Sequence, residues 1–357
     1  MTLPPSSGDR FDLRSEARND LPGTILVALD GSPFAESALA HARPLARALG
    51  SGLHLLTVLD PSRTGATSRT SAEARLQRLE AATELGGIAD SLRADGYPCT
   101  FEVREGQPSS EIVASMAERR VGAIALAARP RSTAERLTPG SITAGILRAA
   151  MPSLLVARGK AGGRRGGRGG AGPEVRYRRI GVAVDGSHGS HRALRLASSL
   201  AREDDAEIVL VHVLASAAEP PHPATPGPES ARGIPFQEAS EALRYLRVVE
   251  RKVSLHGVGV RSRLFYSWAE ADAVQGDADL LVIAAGGGAI ESRGDGRSAR
   301  RLLLHGRIPV LAFREAAAAP PPSEPWTPGR GASASLRASQ GRRETWSRWK
   351  AQRGTSA

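Results

Sequence analysis

Short apolar runs alternate with longer amphipathic stretches along most of the chain. ILVAL (25–29) is followed by a stretch in which Ala38, Leu39, Ala42, Leu45 and Ala46 recur at i, i+1, i+4, i+7 and i+8. That spacing gathers the apolar side chains on one stripe of a helix. LHLLTVLD (53–60) then returns to a strand pattern. The alternation predicts strands over 24–29, 53–59, 99–104, 122–127 and 153–157, and helices over 34–49, 71–94, 109–119 and 141–150. AIALAA (123–128) and LLVIAA (280–285) are apolar throughout, which a strand covered on both faces requires.

The same pattern occurs twice. TILVALDGS (24–32) meets RIGVAVDGS (179–187), so that Asp185 lies 155 residues after Asp30. At that offset the apolar stripe of the first helix meets Ala193, Leu194, Ala197, Leu200 and Ala201, and Val58 meets Val213. A duplicated domain of alternating strands and helices is expected, in the α/β class. Each copy is a doubly wound, five-stranded parallel sheet with helices on both faces. In copy two the third helix, near 269–276, is about a turn shorter than its partner, and loop 215–235 is long and Pro-rich.

Composition sets the boundaries. Residues 1–23 read as a flexible N-terminus, 24–158 as domain one, 159–175 as a Gly/Arg-rich linker, 176–314 as a divergent domain two, and 315–357 as a disordered basic tail. Segment 158–179 carries net +7 and segment 330–357 net +6, against +11 for the chain, so everything else carries about −2. The basicity belongs to linker and tail, which makes nucleic acid an unlikely partner of the folded body. The linker reads as a solvated spacer, with accessory nucleic-acid binding through linker and tail as the alternative. Trp346 and Trp349, among Arg342, Arg343, Arg348 and Lys350, suit a partner or an anionic surface if the tail is more than disordered chain. The single cysteine, Cys99, excludes an intrachain disulfide and a cysteine-based zinc site, and it reads as a buried inert thiol. No apolar run is long enough to span a membrane, and the N-terminus lacks a signal pattern, so a cytoplasmic protein is expected.

Ligands of an open parallel sheet bind at the carboxyl ends of the strands. Asp30-Gly31-Ser32 and Asp185-Gly186-Ser187 stand at such ends, each opening a helix. After the fourth strand, Gly140-Ser141-Ile142 opens another helix, where free N–H groups suit a phosphate. With these residues the chain resembles a tandem member of the universal stress protein family, over 24–157 and 179–314. The resemblance implies an adenine nucleotide alpha hydrolase-like fold and, from one branch of the family, ATP as ligand.

Carried over residue by residue, copy one keeps Asp30, Val58, Gly140 and Ser141. It has Ala127 and Pro130 where that branch has glycines, and Arg129 and Arg131 offer phosphate charge instead. Copy two keeps Asp185 and Val213, with Gly286, Gly287, Gly296 and Ser298 in its late turn and Arg297 where a serine would stand. The family's pairing through the last strand implies that 153–157 and 308–313 form a seam inside the chain. A homodimer of such chains is also compatible. The expected function is a non-catalytic stress-response protein that binds adenine nucleotide. The alternative is a nucleotide-free protein-interaction module with an unknown partner.

Plainer readings stand beside these. Asp30, Asp185 and Gly140-Ser141 also suit simple helix caps. His188 and His191, one turn apart, read as solvent-facing residues of a helix start rather than metal ligands. His212, opposite Thr57 of copy one, reads as core packing. No G-x-S-x-G elbow and no Walker lysine pattern occurs.

Overall fold

The computed structural model describes residues 23–32, 35–64, 71–119, 121–128, 146, 153–158, 174–214, 236–265, 272–284, 302–303 and 306–314. The chain divides into units 1–316 and 317–357, and all described residues belong to the first. Copy one runs β1 (Thr24–Ala28), α1 (Ala35–Leu49), β2 (Gly52–Leu59), α2 (Ser71–Ala94), β3 (Cys99–Glu105), α3 (Pro108–Arg119), β4 (Val121–Ala127) and β5 (Ser153–Ala157). Copy two runs β6 (Arg179–Ala183), α4 (His188–Asp204), β7 (Glu207–Val213), α5 (Phe236–Ser254), β8 (Val260–Phe265), β9 (Leu280–Ala284) and β10 (Val310–Phe313). The helix expected over 141–150 lies outside the described residues except for Ile146, as do loop 215–235, residues 159–173 and the tail. Where a third helix was expected in copy two, the described residues form one 3-10 turn, Asp272–Gly276. Val274 is its buried anchor, and Gly276 ends the turn.

The ten strands of the described residues join one sheet, ordered β3-β2-β1-β4-β5-β10-β9-β6-β7-β8. Within each copy every pairing is parallel. At the expected seam β5 and β10 pair antiparallel, with Leu155 opposite Leu311 between the flanking pairs Val156–Val310 and Leu154–Ala312. The two copies are thus related by a pseudo-twofold axis through Leu155 and Leu311.

Alternate residues of the central strands feed two cores. Ile25, Val27, Ala123, Ala125, Leu155, Leu280, Val282 and Leu311 face the layer of α1, α2, α4 and α5, and this core is continuous across both copies. Leu26, Ile124, Leu126, Leu154, Leu281, Ile283 and Val310 face the other layer with Ile112 of α3. Small residues at Ala123, Ala125 and Ala157 let α1 approach the sheet closely.

Helix α1 continues through Pro44. Proline has no N–H, so the Ala40 carbonyl one turn back loses its intrahelical partner. The N–H of Val175 donates to that carbonyl at 3.3 Å. Beside it, Glu174 accepts from the Tyr97 hydroxyl at 3.0 Å and pairs with Arg47, which also bonds Glu203 of α4 at 2.5 Å. Residues 174 and 175, placed in the linker by composition, are therefore pinned between the copies. The Tyr177 hydroxyl lies 2.8 Å from Nδ1 of His41, with both side chains buried.

Candidate functional site

Each Asp-Gly-Ser turn is built by its own residues. In copy one the Ser32 N–H donates to Oδ1 of Asp30 at 3.0 Å, and the Ser32 hydroxyl donates to the same oxygen. In copy two the Ser187 N–H donates to Oδ1 of Asp185 at 2.9 Å. Ser187 then caps α4, its hydroxyl oxygen accepting from the Ser190 N–H at 3.1 Å. The glycines between adopt φ +72° at Gly31 and +82° at Gly186, a left-handed conformation that explains glycine there. Both aspartates thus shape a turn, and Asp30 is exposed while Asp185 is half-buried.

At the same offset a side chain of the second strand holds the end of the first. The Thr57 hydroxyl donates to the Leu29 carbonyl at 3.0 Å. Its counterpart His212 places Nδ1 2.7 Å from the Val184 carbonyl. His212 is therefore a half-buried polar brace, not the plain core residue expected, because the open end of the sheet leaves that carbonyl without a strand partner.

In copy one these residues enclose a crevice of about 210 Å3 at the carboxyl ends of β1 and β2. Leu29, Ala35, Leu59, Ala81, Leu85 and Ile88 supply its apolar surface. Asp30, Glu36, Glu80 and Glu84 supply carboxylates, and no Lys, Arg or His is among the described residues that line it. The described walls therefore suit a small group that pairs apolar surface with hydrogen-bond donors. They offer no cationic side chain to a triphosphate.

Val58 and Val213 do not join this arrangement through their side chains. Both pack against the core on the opposite face of the sheet, because successive strand residues alternate in direction. Thr57 and Leu59 take the crevice-facing positions instead. Arg129, Gly140, Ser141, Ile142, Gly286, Gly287, Gly296 and Ser298 lie outside the described residues, as do Pro130, Arg131 and Arg297. Ala127 ends β4, half-buried.

Copy two is different at the same place. The Tyr245 hydroxyl lies 3.1 Å from Nε2 of His191. The Tyr245 ring lies 6.0 Å from the His212 ring and 6.3 Å from the His191 ring. Burial pushes the Tyr245 phenol up and, as the largest cause, the His191 imidazole down. His188 is exposed as expected, but His191 is half-buried and bonded. Sequence reading missed this because the partner, Tyr245, is 54 residues away on another helix. Among the described residues no group of three or more His, Cys, Asp or Glu could hold a metal ion. Likewise, no described helix is long and apolar enough to cross a membrane.

The model of the universal stress protein family matches residues 23–158 and 176–314. A universal stress protein from Archaeoglobus fulgidus DSM 4304 is 18% identical, with a TM-score of 0.54, covering 82% of this chain and 98% of its own. A functionally unknown protein from Pseudomonas aeruginosa PAO1 is 18% identical, with a TM-score of 0.52, covering 84% and 95%. A universal stress protein solved in complex with cAMP is 21% identical, with a TM-score of 0.29, covering 39% and 99%. Among curated proteins none matches the chain significantly.

Proposed function

The chain belongs to the universal stress protein family, with the family's domain present twice, and on that premise we propose that it is a non-catalytic regulator that binds adenine nucleotide in its first repeat. The observation that carries this reading is the crevice beside Asp30, open at the carboxyl ends of β1 and β2, where ligands of open parallel sheets are held. Its apolar floor suits the base, and its carboxylates suit amino and hydroxyl donors. Leu29, Ala81 and Leu85 would sandwich the base, and Asp30 and Glu84 would accept from the ligand. The phosphates would lie toward the turn after β4, where Arg129, Gly140 and Ser141 follow in sequence. The Ser32 hydroxyl donates a hydrogen bond to Asp30, and among the described lining residues there is no imidazole to act as a base.

A second reading, a nucleotide-free interaction module, is favoured by one observation: among the described residues four carboxylates and no cationic side chain line the crevice. Titration calorimetry of the full chain with ATP separates the two. One saturable site is expected, weakened at least tenfold in Asp30→Ala, with no phosphate released over hours. No heat of binding at millimolar ATP would overturn the nucleotide reading and leave the interaction module.

A further inference from the structure

The two repeats can be compared position by position around their Asp-Gly-Ser turns. At the 155-residue offset Ala35 corresponds to Ser190, Glu36 to His191 and Thr57 to His212. Between α2 and α5 the buried residues Leu85, Ile88 and Leu92 correspond to Leu246, Val249 and Val253, all buried in the same core. That register makes Tyr245 the counterpart of Glu84, which is exposed and lines the first crevice.

The four substitutions act together. His191 lies against the Tyr245 hydroxyl and His212 against its ring, and Ser190, next to His191 on α4, is buried where copy one has Ala35. A Cβ added at Gly186 would lie 4.0 Å from Cε2 of Tyr245, so the ring reaches the turn itself. A flat aromatic group, bonded through its polar end to His191 and with its ring against the Asp-Gly-Ser turn, thus fills the place that is open in copy one.

We propose that Tyr245 is the built-in occupant of the second repeat's crevice, standing where a nucleoside stands in the first, so that one chain holds one nucleoside rather than two. The count of one rests on the reading of the first repeat given above; the occupancy by Tyr245 does not. Removing the ring leaves a cavity that a planar, hydrogen-bonding ligand can enter.

The test counts adenosine bound per full-length chain, because adenosine needs the crevice alone. One site is expected in the wild type, none in Ala81→Trp, two in Tyr245→Ala and one in the double variant. One site in Tyr245→Ala with none in the double variant, or two sites in the wild type, would overturn the proposal. A wild type with none and a Tyr245→Ala with one would uphold it while refuting the first-repeat reading. None in every protein would overturn both. The reciprocal change guards against a variant that fails to fold. Glu84 is exposed, and installing Glu36→His with Glu84→Tyr copies the occupant into the first repeat. Loss of adenosine affinity by tenfold or more is expected there, and unchanged affinity would overturn the proposal.

Discussion

His41 shows how one residue ties both repeats to pH. It lies on α1, 8% exposed, with its Nδ1 against the Tyr177 hydroxyl. Burial pushes its pKa from 6.5 down to about 4. Between those values the unfolded chain binds a proton that the folded chain refuses. The stabilisation is therefore complete above about pH 6.5 and is lost as pH falls toward 4, by about 3 kcal/mol in all. His54, fully buried in β2, is likewise lowered to about 4, first by burial, and adds in the same direction. Urea unfolding is expected to show stability falling across pH 6.5 to 4, with a shallower slope in His41→Gln. An equal slope in that variant would contradict the assignment. Neither histidine stands out in the sequence, because a neutral buried imidazole leaves no periodic mark. The Asp-Gly-Ser turns were legible because their geometry needs only neighbouring residues. The partners of His191 and His212 were not, since Tyr245 reaches them from another helix.

At the scale of the element, α1 joins local and long-range design. Its apolar stripe marks it from the sequence, and the helix runs through Pro44 as that stripe implies. What the stripe cannot show is where the freed Ala40 carbonyl finds a donor. It finds one in Val175, at the start of copy two. Val175→Pro removes that donor and leaves the carbonyl without it. A loss of about 1–3 kcal/mol is expected, measured by urea unfolding, and a loss below about 0.5 kcal/mol would show the contact to be incidental. The central strands of both copies were legible from their apolar runs. The third helix of copy two was not: a short apolar signal near 269–276 does not distinguish a 3-10 turn from an α-helix.

For the whole molecule, the seam makes two domains into one body. The core on the α1 and α4 side runs unbroken from Leu53 through Leu155 and Leu311 to Leu210. Arg47 bonds Glu203 across the same boundary. Copies that share a core unfold together, so calorimetry is expected to give one transition for both repeats. Two transitions well apart in temperature would mean that the seam is a weak contact. Duplication was readable from the repeated motif. The asymmetry between the copies was not, because the residues that open one crevice and fill the other come from α2 and α5, whose sequences share little beyond their buried positions.

That asymmetry is tested most directly by native mass spectrometry of the full-length chain with excess ATP. One nucleotide per chain is expected, lost in Asp30→Ala and retained in Asp185→Ala. A chain that carries none, or carries two, would contradict a first repeat that binds and a second that is filled by its own tyrosine.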